Sequence, residues 1–383
     1  MDAQNLYNLS PALRLMLMGL VVAMGPLAWV WLRNRKAPVA RRLQVLTLVT
    51  LFLTFDLVVF GAFTRLTDSG LGCPDWPGCY GHASPVGAKV HIEAAQTAMP
   101  TGPVTHPKAW IEMIHRYLAT GVGVMILTLA VTSWIERRRL HISPWWPTFT
   151  LVWVCLQGAF GALTVTMKLF PAIVTLHLLG GMVLLALLKI QAVRYNQAQG
   201  GQSPVTLPAG TRWLVLATFG LLWLQIALGG WVSTNYAVLA CTQFPGCQNS
   251  WWPDMDFRLG FTLWRELGAG LGGENITFAA LTAIHYVHRL SAYVVFAAML
   301  ALTIKLYRVP LLRTQAQWLG GLALLQLATG LGNVLLGWPL AAAVLHTAGA
   351  AAMVIVLTGT VFCTKGAWVA ASRSKWSTPR LTA

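Results

Sequence analysis

A chain of 383 residues that is 56% hydrophobic and only 10% charged, with mean hydropathy +0.62, falls outside the ordinary soluble class, where about 25% of residues are charged. Its formal charge of +16 does not argue for nucleic-acid binding, because polytopic membrane proteins concentrate Lys and Arg in cytoplasmic loops. The composition predicts an all-α polytopic membrane protein, the lipid bilayer being its first partner.

Nine apolar runs are long enough to cross a bilayer. The first, Leu13–Leu32, has no basic n-region and no clear cleavage site before Arg33-Asn34-Arg35-Lys36, so it reads as an extra N-terminal helix and not a signal peptide. The second, Leu43–Thr64, holds an acid deep inside it, Asp56. A loop with Cys73-Pro-Asp-Trp-Pro-Gly-Cys79 follows. The third run, Trp110–Ile135, opens with Glu112, His115 and Arg116 and ends at Glu136-Arg137-Arg138-Arg139. An acid and a histidine three residues apart share one helix face. Trp146–Met167 and Ala172–Val193 come next, the latter carrying His177. After Trp213–Ser233 a second loop carries Cys241-Thr-Gln-Phe-Pro-Gly-Cys247. Phe278–Leu306 contains Ile284-His285-Tyr286-Val287-His288-Arg289, an echo of the third run. Trp318–Leu336 and Ala341–Phe362 close the series, the last holding His346.

Basic residues orient the chain. Eighteen of the 27 Lys and Arg fall on one set of loops, which should therefore be cytoplasmic. The loops at about 65–109 and 234–277 then face outward and the C-terminus faces inward, as expected for a bacterial cytoplasmic membrane protein. Outward loops meet an oxidising compartment, which favours a disulfide within each cysteine pair over a metal site or free thiols, since no histidine clusters tightly with either pair.

The chain repeats itself. Cys73 maps to Cys241 at an offset of 168, Gln157 to Gln326 and His177 to His346 at 169, and His115 to His288 at 173. Two pseudo-symmetric four-helix transmembrane bundles are expected. The segments are 1–42 (extra helix and basic cytoplasmic loop), 43–194 (first half), 195–212 (cytoplasmic linker), 213–363 (second half) and 364–383 (cytoplasmic tail). Four spans per half, an even number, give both halves the same topology, unlike the inverted repeats of many transporters.

His115, His177, His288 and His346 each lie five to ten residues inside a span that begins on the outer side, so they sit at similar depth. Facing imidazoles inside a helical bundle are how haem iron is held from both faces. Zinc wants three or four converging ligands, and a di-iron carboxylate site needs more acids than these spans contain. The halves differ where Glu112 faces His285 in the alignment. One half thus has a carboxylate beside its histidine, suiting a catalytic site, unless Glu112 simply pairs with Arg116 one turn on. Gln157, Gln225 and Gln326 recur as Leu-Gln-x-x-x-Gly and read as interhelical hydrogen bonds beside a close-packing glycine. Arg65, Arg116 and Arg289 near the outer haem level suit propionates or, equally, lipid headgroups.

Gly61-Ala62-Phe63-Thr64-Arg65-Leu66-Thr67-Asp68-Ser69-Gly70-Leu71 with Asp75-Trp76, the Glu112-x-x-His115-Arg116 motif, and Asn235-Tyr236-Ala237 through Cys241 and Phe244-Pro245 resemble the haem A synthase family over roughly residues 43–363. That resemblance implies oxidation of the C8 methyl of haem O, through hydroxylated intermediates, to the formyl of haem A for aa3-type cytochrome oxidase. It implies haem O near His115 and His177, Glu112 as catalytic carboxylate, haem B between His288 and His346, and disulfides Cys73–Cys79 and Cys241–Cys247. Haem sites toward the periplasmic side, an electron partner, contacts with haem O synthase and oxidase assembly factors, and a homo-oligomer are further expectations. The competing readings are a bis-histidine di-haem electron-transfer protein of the cytochrome b kind, which gives Glu112 no task, and a haem or quinone carrier, which should show broken helices.

Overall fold

The computed structural model describes residues 10–140, 142–201, 203–270 and 274–366. Among them, nine helices are long and apolar enough to span a membrane, and the chain is a multi-pass membrane protein. They are α1 (Ser10–Arg33), α2 (Val39–Leu66), α4 (His106–Ile135), α5 (Trp145–Thr166), α6 (Pro171–Ala198), α7 (Ala209–Thr234), α9 (Phe278–Tyr307), α10 (Arg313–Leu335) and α11 (Leu340–Phe362). The other α-helices among the described residues are α3 (Lys89–Ala98) and the single turn α8 (Phe257–Gly260), in the loops that carry the cysteine pairs.

Each expected span is present within a few residues. The helices overrun the apolar runs at polar ends: α6 continues to Ala198 and α7 begins at Ala209, after Pro208. The expected linker 195–212 is therefore short, and Val205–Leu207 (β1) pairs in parallel with Thr364–Gly366 (β2) just beyond α11. Arg212 reinforces this junction by donating to the Val361 carbonyl (2.9 Å) and Thr364 Oγ1 (2.7 Å). Most of the expected tail, with Arg373, Lys375 and Arg380, lies outside the described residues, as do residues 1–9.

Helices α2, α4, α5 and α6 pack around one another, as do α7, α9, α10 and α11. The two sets meet through α2 on α11, α6 on α7, and α6 on α11. Two contacts join a residue to its own repeat mate: Arg65 donates to the Ser233 carbonyl (2.7 Å) and the Tyr236 hydroxyl to Asp68 (2.7 Å), each pair 168 residues apart. Equivalent positions touch only where a pseudo-two-fold axis passes between them, so the axis runs here. Burial pushes the Tyr236 phenol above its ordinary value, which keeps it a donor to Asp68. The extra helix α1 packs on α4 through small residues: a Cβ at Gly19 would fall 2.4 Å from Thr120 and one at Gly121 would fall 2.9 Å from Val22.

Candidate functional site

Each half carries two histidines near the N-terminal ends of its second and fourth helices. His115 is the tenth residue of α4 and His288 the eleventh of α9, while His177 and His346 are each the seventh of α6 and α11. His115 and His177 lie within electrostatic range of each other, and so do His288 and His346. Each histidine thus has the other histidine of its own repeat for a neighbour.

Every one of these imidazoles faces a glycine on a neighbouring helix. A Cβ at Gly61 on α2 would lie 3.0 Å from His115 Nε2, and one at Gly161 on α5 would lie 3.5 Å from His177 Cε1. In the second half the distances are 2.9 Å from Gly229 on α7 to His288 Cε1 and 3.4 Å from Gly330 on α10 to His346 Cε1. Three of these glycines end the Leu-Gln-x-x-x-Gly repeats. The motif read as general helix packing is therefore a seat for a histidine ring. Its glutamines serve the same helices. The Gln225 amide nitrogen lies 3.1 Å from both His288 Nδ1 and the His288 carbonyl, and Gln326 donates to the His346 carbonyl (2.7 Å). Gln157 packs so tightly against α6 that a Cβ at Gly180 would fall 1.9 Å from its Nε2. Thr329 gives its hydroxyl proton to the Leu325 carbonyl (2.7 Å), so at 2.9 Å it accepts from His346 Nδ1. That leaves Nε2 as the nitrogen with a free lone pair, the form a metal requires.

Gly229→Val provides a test of the seat. Overpacking a close site costs about 1–3 kcal/mol, and here the force falls on His288. If the seat positions a haem ligand, the variant should accumulate as a membrane protein yet hold several-fold less haem, read from the absorption spectrum. Unchanged haem content would remove the seat from the account.

Glu112 is buried on α4 beside His115. Its Oε1 accepts from Arg116 Nη2, and its Oε2 accepts from the Cys73 amide (2.8 Å). The ion pair weighed from spacing alone is present, and the carboxylate also ties the first disulfide loop to the helix. In the second half His285 occupies the place of Glu112 and contacts the Ala237 carbonyl through Nδ1 (3.0 Å).

The two motif arginines, expected near propionates, each hold a set of loop carbonyls. Arg116 Nη1 donates to the carbonyls of Asp75 (3.1 Å), Pro77 (3.2 Å) and Gly78 (2.5 Å). Arg289 donates to the carbonyls of Gln243 (2.8 Å), Gly246 (2.8 Å) and Cys241 (3.1 Å). Both are buried and clamp the loops closed by the disulfides Cys73–Cys79 and Cys241–Cys247. These loops also share a cis X-Pro bond at Trp76-Pro77 and Phe244-Pro245. Arg65 stacks over the Tyr236 ring at 4.0 Å and remains at the junction of the halves.

One polar residue escaped the sequence reading. Arg265, in the second outer loop, is only 6% exposed and donates through Nη2 to Asn235 Oδ1. Its Nε and Nη1 are buried and meet no partner among the described residues. Burial pushes this guanidinium below its ordinary value. An orphaned donor pair of this kind calls for an anionic or strongly accepting group. Nothing in the local sequence distinguishes Arg265 from other basic loop residues.

The family model described as cytochrome oxidase assembly protein, COX15-CtaA, matches residues 44–358. This chain belongs to that family. Within the COX15-CtaA relatives, a protein of Shewanella oneidensis named haem A synthase is 36% identical over 310 residues, covering 81% of this chain and 92% of its own length. Another of that name from Caulobacter vibrioides is 27% identical over 354 residues, 85% of this chain and 95% of its own. A third, from Halalkalibacterium halodurans, is 24% identical over 222 residues, 57% of this chain and 69% of its own. The COX15-CtaA match begins just after α1, so the extra helix lies outside it, whereas all four histidines, Glu112 and both disulfides lie inside.

Proposed function

We propose that this protein is a haem A synthase, converting the C8 methyl of haem O into the formyl group of haem A for an aa3-type oxidase. The observation that carries the reading is the pair of matched histidine seats, of which one alone has a carboxylate beside it. Family membership and the names of the relatives point the same way.

The donor set fits haem. Two imidazoles in each half, each packed against a glycine, offer two nitrogen ligands, and among the described residues no three His, Cys, Asp or Glu side chains converge as a smaller ion requires. Haem B between His288 and His346 supplies one-electron redox chemistry when bound. His115 and His177 hold haem O as substrate in the first half. Arg265 would offer its free Nε and Nη1 to a propionate of that haem, and Arg65 lies at the junction of the halves. The donors of Arg116 and Arg289 are engaged by the loop carbonyls, which favours a clamping role for both.

Turning a methyl into a formyl group adds one oxygen atom, drawn from water or dioxygen, and withdraws four electrons that pass to an external acceptor; as hydrogens leave the carbon beside the ring, positive character builds there. A fixed carboxylate in a dry site accepts the proton and opposes that charge. Glu112 is that carboxylate. Arg116 and the Cys73 amide hold it in one orientation, so its remaining lone pairs are aimed by the fold. Residues 43–194 form the substrate half and 213–363 the haem B half, with the sites toward the periplasmic side of the bacterial cytoplasmic membrane and the end of α11 toward the cytoplasm.

Expression in a strain lacking its own haem A synthase tests the function: the aa3 oxidase spectrum should return. Failure to restore it, with the protein present in the membrane and haem O available, would count against the reading. Arg265→Gln should loosen haem B by about tenfold, the effect of one to two lost charge-assisted hydrogen bonds, read by haem retention during purification. Full retention would release Arg265 from this role.

A further inference from the structure

Asp56 is an acid that neither the histidine seats nor the outer loops employ. It lies exposed on α2, inside a membrane span. Ionisable groups at such depth are costly and mark sites with a definite polar partner. The side chain lines a groove of about 370 Å³ shared with Val59, Phe60 and Phe63 of α2 and with Val344 of α11, from the other half. The groove is open along one side, and its walls are apolar apart from this one polar group. The groove adjoins the first histidine pair: the Phe60 ring lies parallel to the His115 imidazole, with centroids 6.4 Å apart and 9° between planes. Asp56 sits five residues, about 7.5 Å of helix, nearer the cytoplasm than Gly61, the seat of His115.

We propose that this groove receives the isoprenoid side chain of haem O and that Asp56 hydrogen-bonds the hydroxyl at the base of that chain. The inference rests on the haem A synthase reading. Haem O differs from haem B in carrying a hydroxylated isoprenoid chain where haem B has a vinyl group. That chain leaves the macrocycle on the side away from the propionates. With the charged propionates toward the aqueous outer surface, the chain points toward the bilayer centre, where Asp56 lies. The hydroxyl donates to a carboxylate or accepts from a carboxyl group, so the contact holds in either protonation state. A phospholipid acyl chain fits the apolar walls but gives Asp56 no partner. A site built to bond a hydroxyl rejects the analogue that lacks it, because its own polar group is then stranded. Asp56 therefore selects haem O over haem B for the first half.

The test uses full-length protein with its second-half haem in place, titrated with haem O and with haem B and followed by absorption. Wild type should prefer haem O. Asp56→Leu should lose roughly tenfold of that preference with haem B affinity unchanged, and Asp56→Asn should recover most of it. Val344→Trp, which fills the groove without touching the acid, should produce the same loss and decides the question if Asp56→Leu fails to accumulate. Wild-type preference in variants that keep the resident haem spectrum would overturn the proposal. So would a photoactivatable phospholipid that labels the groove and is not displaced by haem O. If selection through Asp56 is found but no haem A ever forms, the haem A synthase reading fails instead.

Discussion

Alanine at His288 or His346 is expected to empty the second half of haem while leaving the bundle intact. In the proposed site each imidazole is one of two ligands, so either loss would remove an iron bond, a larger deficit than the 10–100-fold that follows loss of an outer-shell partner. The fold should tolerate the change. His346 sits on α11 among small residues, and Gln326 bonds the His346 carbonyl, which alanine keeps. Purified His346→Ala should contain less than about a tenth of the wild-type second-half haem, and conversion of haem O should fall with it. Equivalent changes at His115 or His177 should spare the resident haem and abolish substrate retention, which separates the halves. Stoichiometric resident haem in His346→Ala would show that the ligand lies elsewhere.

Glu112→Gln should bind haem O normally and form no formyl group. Glutamine keeps an oxygen for the Cys73 amide or Arg116, whereas Glu112→Ala, the simpler substitution, strands a buried guanidinium, a change that can cost about 3–5 kcal/mol when nothing else pairs it. Three loop carbonyls still hold Arg116, so the cost in Glu112→Ala should be smaller, but only the glutamine variant isolates chemistry from loop anchoring. Loss of a positioned proton acceptor is worth about 10²–10⁴-fold in rate. The readouts are single-turnover conversion of bound haem O and the spectrum of the resident haem, which should not move. Conversion within a few-fold of wild type would reduce Glu112 to the ion-pair partner of Arg116.

Much of this was legible because membranes impose simple rules. Span length follows from the bilayer, and the nine helices lie where the apolar runs are. Histidines repeated at matched depth were visible as ligand candidates for the same reason. What stayed hidden depends on contacts distant in the chain. Arg116 and Arg289 each answer carbonyls some 40 residues away, and no local pattern says that a guanidinium will meet those loops. The glycine seats were recorded as motifs but not as seats, since a helix glycine looks alike against a backbone or an imidazole. Helix α3 lies in a polar outer loop without the long apolar run that marked the spans. The β1–β2 pair joins three-residue segments from opposite ends of the second half, too short to carry a periodicity.

Mass analysis of extracted haem from cells that make haem O but no haem A tests the central claim most directly, with Glu112→Gln as control. Haem A or a hydroxylated haem O in the wild type alone is the predicted result. Haem B as the sole pigment, at about two per chain as a bis-histidine electron carrier would hold, would contradict it and turn the first-half histidines into a relay.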